Sequence, residues 1–419
     1  MFNTRLALSV KAALLVAVSQ TAFGQDAIDK MSQVQTTGAS FEDQFIEQSG
    51  SKADRIKENL DRIKLPSGFK IDLYAIVPDA RHMAVAPQGT VTFVGTRKVN
   101  VYSVVDRDKD RVAEDVQVFA EPIDFNVPNG ICFSPDGFLY IVEHNRVLNF
   151  PAAEFFHENP DVAVSVVVPE GELVPPSEES FNHGARTCDI GPDGKLYITL
   201  GQPYNVPPPE KADLYNKTGI GGIIRMNNDG SGREVYAYGV RNSVGMDFNP
   251  ANGELWFTDN QVDGMGDDIP PGELNRASSA GQNFGFPWYG GGQVRTNEYK
   301  DSEPPADVVF PQVEMDAHAA DLGMAFYTGK MFPSKYQGGI FSAQHGSWNR
   351  TTPIGARVMF TPLNEDGTAG ETQVFAEGWL DQNTGEYYGR PVDIAMLKDG
   401  SLLVSDDFAG AVYRISYER

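Results

Sequence analysis

The stretch FNHGARTCDIGPDGKLYITLG, residues 181–201, sets a single histidine just ahead of a strand-like run. A neutral imidazole suits proton abstraction near pH 7, so His183 is the first candidate for a general base. Asn182 and Arg186 are polar where a buried strand has apolar residues, and either can orient the ring. Polar groups precede other strand-like runs as well: Asn129, Arg241 with Asn242, and Arg390, while His318 and His345 flank a further run. The guanidinium fork matches carboxylate and quinone oxygens. Arg241 in YGVRNSVGMDF, Arg350 in HGSWNRTTPIG and Arg390 in YYGRPVDI would repel one another near a common axis unless a multiply anionic ligand lay among them. Taken singly, each arginine can equally tie two sheets together through a backbone carbonyl.

What positions these groups is a repeated unit: apolar run, PDG-like turn, alternating strand. It occurs in HMAVAPQGTVTFVG (82–95), NGICFSPDGFLYIVE (129–143), TCDIGPDGKLYITLG (187–201), VGMDFNPANGELWFTD (244–259) and VDIAMLKDGSLLVSDD (392–407). A looser copy, LGMAFYTGKMFPSKYQGGIFSAQHG (322–346), has a longer loop in place of the turn. An initial spacing of roughly 50 residues fits four short antiparallel strands, the size of a propeller blade. The sequence therefore predicts an all-β, six-bladed β-propeller over residues 65–419. GFKIDLYAIV (68–77) and GAVYRISY (410–417) are placed to complete one shared blade. Loops at one end of such a ring converge on its axis, which would gather the residues above.

The chain of 419 residues carries a formal charge of −23, which argues against nucleic acid and anionic membrane surfaces as partners. Residues 1–24 have the pattern of a cleaved signal peptide: Arg5 and Lys11, a short apolar AALLVAV, then small residues in AFG. This predicts a periplasmic or secreted protein with no membrane span. Residues 25–64 are polar and read as a tether or surface helix. Counted from their following turns, Cys132 and Cys188 point to opposite strand faces, which predicts two buried free thiols rather than a disulfide. No CxxCH or CxxC occurs, so neither covalent haem nor a paired-cysteine metal site is expected.

The loop in LWFTDNQVDGMGDDIPPGELN (255–275) can offer carbonyls and carboxylates to Ca²⁺, or be simply solvated. DRDKDRVAEDVQ (106–117) has the alternating acids of an EF-hand loop. It has Arg111 where glycine belongs and Gln117 in place of the final glutamate, and is taken as a surface turn. Trp288 and Tyr289 in GQNFGFPWYGGG can face a planar ligand or fasten an insertion.

Together, NHGARTCDIGPDGKLYITLG, YGVRNSVGMDFNPANGELWFTDN…DDIPPGELNRASSAGQNFGFPW and GRPVDIAMLKDGSLLVSDD resemble the soluble quinoprotein sugar dehydrogenases, the glucose/sorbosone dehydrogenase family. The resemblance spans roughly residues 65–417, and HGSWNR is most similar to the sorbosone dehydrogenase-like branch. It implies a six-bladed propeller that binds pyrroloquinoline quinone (PQQ) and Ca²⁺ on its axis. The implied reaction oxidises an aldose or related sugar aldehyde by hydride transfer to PQQ and passes electrons to a soluble or periplasmic acceptor. Residue by residue, His183 matches the catalytic base, and Arg241 with Asn242 the pair that contacts the quinone. Arg390 matches an arginine near the cofactor carboxylates, and Asp259, Gln261 and Val262 lie in the segment whose carbonyls hold calcium. Asn129 and His345 join the cofactor set by their positions before or beside the repeated runs. Asn182 stands where glucose-oxidising members have an acid, Gln261 where they have glycine, and Arg350 is the candidate for their cofactor-assisting lysine. Two other classes remain open from the residues alone: a calcium-dependent, lactonase-like hydrolase, and a non-enzymatic binding propeller.

Overall fold

A computed structural model describes residues 34–38 and 44–418. The signal-peptide segment lies outside these residues. Six sheets of four or five strands stand around one axis. The first four-stranded blade runs Met83–Val85, Thr92–Val94, Val101–Val105 and Asp115–Phe119. The innermost strands of the next four blades are Gly130–Phe133, Cys188–Ile190, Met246–Phe248 and Asp321–Phe326. The sixth blade is shared: Pro391–Met396, Leu402–Asp406 and Ala411–Tyr417 pair outward to Phe69–Ile76 from the start of the domain. Each innermost strand touches the next, and the last touches the first, so the ring is closed.

The PDG-like turns do what their chemistry dictates. Gly137, Gly194, Gly253 and Gly400 hold φ between 74° and 89°, the left-handed region that side chains avoid. Each turn reverses an inner strand into the buried second strand of its blade. In the fifth unit the long loop carries Phe332 and Tyr336, which pack with Phe69, Phe341 and Phe375 at ring separations of 4.7–6.2 Å. The closing strand is thus anchored by an aromatic nest as well as by its ladder, each ring pair adding about 0.5–1.5 kcal/mol beyond burial.

Innermost strands leave one edge of unpaired N–H groups toward the axis, and buried donors need acceptors. The preceding blade supplies them. Asp393 Oδ2 accepts from Met83 N–H (2.8 Å), Asp247 Oδ2 from Phe326 N–H (2.7 Å), and His82 Nδ1 from Ile131 N–H (3.2 Å). Burial pushes the Asp247 carboxyl up to about 6.

The expectation of two free thiols is wrong. Cys132 and Cys188 form a disulfide, with Cα atoms 5.8 Å apart. Opposite faces would keep them apart on one sheet, but they sit on the inner strands of adjacent blades. There the upper face of one blade meets the lower face of the next, so opposite orientation brings the sulfurs together.

Before the first blade, Gln35–Thr36 adds an outer strand to the second blade, and the helix Ser51–Leu60 buries Ala53 and Ile56 against the fifth and sixth. Among the described residues no helix is long and apolar enough to cross a membrane.

Candidate active site

Two sets of loops reach the axis at one end: those leading into the inner strands, and those leaving the second strands. They enclose a cavity of about 220 Å³ whose walls include three imidazoles, His183, His318 and His345, and three guanidiniums, Arg81, Arg97 and Arg241.

His183 sits in the loop ahead of Cys188–Ile190, in a left-handed conformation (φ 54°). Gly184 follows because a Cβ there would lie 2.6 Å from the His144 ring. The ring is oriented by neither Asn182, which is exposed, nor the Arg186 guanidinium, which holds the His183 carbonyl at 3.0 Å. Its Nδ1–H donates to the Gln202 carbonyl at 2.6 Å. That acceptor fixes the tautomer and leaves Nε2 with a free lone pair. Burial first, then Arg241, depresses its pKa to about 3, against the Gln202 bond that favours protonation. The imidazole is therefore neutral at physiological pH.

Arg241 is buried and highly committed. Nε donates to the Asn205 carbonyl (3.1 Å), Nη1 to the Asn260 carbonyl (3.2 Å), and Nη2 to Asn205 Oδ1 and Asp263 Oδ2 (both 2.9 Å). Asp259, predicted at the metal, points its carboxylate the other way. It accepts the backbone N–H groups of Arg241 (2.8 Å) and Asn242 (2.6 Å), and burial raises it to about 6. Gln261 and Asn242 do line the cavity, whereas the buried Val262 donates its N–H to the Gly290 carbonyl and lies behind it. His318 organises this wall. Its Nε2–H donates to the Gly266 and Ile269 carbonyls, and its Nδ1 accepts from Gln261 Nε2 (3.0 Å) and Asn349 Nδ2 (3.2 Å).

On the facing wall His345 Nε2–H donates to Asp407 Oδ1 (2.8 Å), and Arg81 donates to Asp407 Oδ2 (2.7 Å). Burial works to raise the Asp407 carboxyl, but His345 and Arg81 outweigh it and hold it well below the usual range. Arg97, at the rim, is lowered by the neighbouring Arg81 first and by burial second. Asn129 does not line the cavity. Its Oδ1 accepts from Arg81 Nε (2.8 Å) and its Nδ2 donates to the Arg186 carbonyl (2.6 Å), so it positions Arg81. Arg390 also lies behind, donating to the His345 and Gly346 carbonyls. Arg350 points away, bracing Asp268 and the Ala317 carbonyl. Trp288 and Tyr289 fasten the insertion, packing on Tyr299 and Phe310.

Arg81, Arg97, Gln202, Asp263, Asn349 and Asp407 were not anticipated. Three of the six share one signal: Arg97, Gln202 and Asp407 follow a second strand directly or nearly so, as the anticipated Gln261 and His345 also do. Phe181 and Trp348, 73% and 74% exposed, add two aromatic faces at the rim.

Three buried amide oxygens of this wall, Asn242 Oδ1, Gln261 Oε1 and Asn349 Oδ1, have no hydrogen-bond donor. The orientation of two amides is dictated by their partners: Gln261 must donate to His318 Nδ1, and Asn349 must donate to Asp263 Oδ1 at 2.7 Å. Their oxygens are therefore left without donors beside the cavity, and a donor or a cation seated there would satisfy them. Arg81, Arg97 and Arg241 ask for negative charge in the same space. A hard metal ion together with an anionic quinone meets both demands.

Fold and mouth together define a propeller with an arginine- and amide-lined cavity on its axis. The chain belongs to the glucose/sorbosone dehydrogenase family, whose profile matches residues 172–347. An uncharacterized protein of Borreliella burgdorferi is 30% identical over 85% of this chain and 91% of its own length. The aldose sugar dehydrogenase YliI of Escherichia coli is 28% identical over 58% of this chain and 62% of its own. Two solved structures share the fold. The calcium structure of the Trichoderma reesei carbohydrate-active enzyme of family AA12 has a TM-score of 0.70 at 18% identity, covering 85% of this chain and 97% of that one. The holo form of the pyranose dehydrogenase PQQ domain of Coprinopsis cinerea has a TM-score of 0.65 at 18% identity, covering 84% and 97%.

Proposed function

We propose that this protein is an exported PQQ- and Ca²⁺-dependent dehydrogenase of an aldose or related sugar aldehyde. The observation that carries this is the pairing, around one cavity, of three amide side chains whose oxygens lack donors with three guanidiniums. Asn242, Gln261 and Asn349 would face the metal, and Arg81, Arg97 and Arg241 the cofactor's anionic groups. When bound, the metal-polarised quinone supplies the two-electron oxidant. His183 Nε2 takes the proton of the sugar's C1 hydroxyl as C1 is oxidised, and the Gln202 carbonyl stabilises the resulting imidazolium through Nδ1–H. Phe181 and Trp348 offer faces for the sugar ring and exclude water from one side. His345 and Trp348 belong to HGSWNR, which favours the sorbosone-like branch. The disulfide and the N-terminal pattern support export, with a soluble or periplasmic electron acceptor.

A hydrolase would need free carboxylates at the metal. Asp263 and Asp407 are ion-paired to Arg241 and Arg81, and Asp259 is committed to backbone N–H groups. Calorimetric titration of PQQ with and without Ca²⁺, followed by dye reduction with a panel of aldoses and aldehydes, tests the proposal. Mutual enhancement of metal and quinone is expected, since each neutralises or ligates the other. Equal PQQ affinity in both conditions breaks the coupling, and no PQQ binding sinks the dehydrogenase in favour of the hydrolase.

A further inference from the structure

At the opposite end of the propeller, the hairpin joining Val101–Val105 to Asp115–Phe119 carries DRDKDRVAE, residues 106–114. Asp106, Asp108, Asp110 and Glu114 present oxygens that all lie within 4.8 Å of one another. Gathered acids on an exposed hairpin are common and by themselves imply no ligand. Asp106 is different. Its side chain is only 7% exposed, and its Oδ1 is buried without a hydrogen-bond donor. An undonated carboxylate oxygen out of water is costly unless something cationic meets it. The nearby guanidiniums do not. Arg107 turns outward to Asp115 and Glu158. Arg111 pairs with Asp399 at 3.0 Å; towards Asp106 its backbone N–H donates at 3.2 Å and its guanidinium stands at 3.6 Å, both at Oδ2, so Oδ1 stays without a donor.

We propose that this hairpin is a second cation site, which binds calcium through Asp106, Asp108, Asp110 and Glu114. Their spacing is that of positions 1, 3, 5 and 9 of a calcium loop, with Val112 at position 7, where such loops use the main-chain carbonyl. The two sequence objections have structural answers. Arg111, at the position reserved for glycine, adopts φ 81°, the conformation glycine would supply. Gln117, in place of the last glutamate, lies on the outer strand and donates to the His157 carbonyl, so the site lacks a bidentate twelfth ligand. Water must complete the shell, which places the affinity with the weak extracellular calcium modules.

The hairpin also spans the closure seam. Ala113 N–H donates to the Tyr74 carbonyl on the outer strand of the shared blade (2.8 Å), and Asp399, the partner of Arg111, lies on that blade's first turn. Calcium here fastens the first blade to the last. The site is independent of the axial one, and its test does not use catalysis. Trypsin cleaves after Arg107, Lys109 and Arg111, within the loop, and its cuts are mapped by peptide mass on the chelator-stripped full chain. With Kd near ~10⁻⁴ M, about 1 mM Ca²⁺ should slow these cuts about tenfold. The exposed double variant Asp108→Asn, Asp110→Asn should lose that protection while keeping wild-type PQQ affinity. Cleavage of the wild type at the same rate with and without Ca²⁺ would overturn the site. Full protection retained in the double variant would overturn it too, since only the axial metal would then remain to explain it.

Discussion

Removing the His183 ring isolates its chemical role, provided the backbone is not disturbed at the same time. Alanine is the cleaner probe here: it keeps the Cβ that histidine already carries at φ 54°, so the backbone cost of roughly 1–2 kcal/mol is the same in both and only the ring is lost. His183→Gly would relieve that strain and mix a backbone gain with lost chemistry, so His183→Ala is the variant to use. The variant leaves the Gln202 carbonyl without its donor, a loss of about 1 kcal/mol if water replaces it. It also leaves a ring-sized space beside the cavity. General-base loss should lower kcat about 10²–10⁴-fold. PQQ affinity should hold, since Arg81 and Arg241 keep their partners. Added imidazole should restore part of kcat, rising with the concentration of the neutral form. The assay is dye reduction by PQQ- and Ca²⁺-loaded protein, with PQQ affinity measured separately by calorimetry. Turnover within about threefold of wild type would remove His183 from the mechanism, as would a loss accounted for wholly by weaker PQQ binding.

The pH dependence of stability in the metal-free protein has a definite sign. Burial, the first cause in each case, raises Asp247, Asp259 and Asp406 to about 6, Asp321 to about 7 and Glu273 to about 8. The folded state thus holds protons that the unfolded chain releases near pH 4, and this stabilisation is lost as pH rises through about 6 to 8. His183, lowered to about 3, and His144 and His345, also lowered by burial, act oppositely and destabilise the fold as pH falls below about 6.5, but the carboxyls outnumber them. Denaturant unfolding should show greater stability near pH ~5.5 than near pH ~8, and the reverse order would refute the assignment. Reducing Cys132–Cys188, which closes a loop of 56 residues, should lower stability by about 4 kcal/mol in unfolding titrations without altering PQQ affinity. Arg81→Ala should weaken PQQ binding about ten- to a hundredfold, the loss of a charged hydrogen bond, while Arg350→Ala should leave it within about twofold. Equal effects would mean that the two arginines have been placed wrongly.

The blades were legible because their signal is local. A glycine forced to positive φ between two alternating strands states both the turn and the pairing within a few residues, and Gly137, Gly194 and Gly400 do so. Shared-blade closure followed from strand-like ends left without a partner. The disulfide did not follow, because strand alternation reports only the face of a residue's own sheet. Which face meets the neighbouring blade is decided by the ring.

The arginines show the same limit more sharply. From sequence, Arg241, Arg350 and Arg390 were equivalent: each stood beside a strand in a polar loop. A guanidinium sits at the end of a long flexible stem, so the position of its Cα does not fix which side of a loop it serves. Arg390 reaches back to the His345 and Gly346 carbonyls and Arg350 across to Asp268, leaving only Arg241 of the three at the cavity. What places Arg81 there is Asn129, whose short side chain bridges Arg81 Nε to the Arg186 carbonyl on the next blade. Asn129, anticipated as a cofactor contact, instead positions a guanidinium that lines the cavity. The shorter side chains Asn242 and His183 line the cavity that their loops reach. The long ones were settled by the partners that competed for them, and those partners come from other blades.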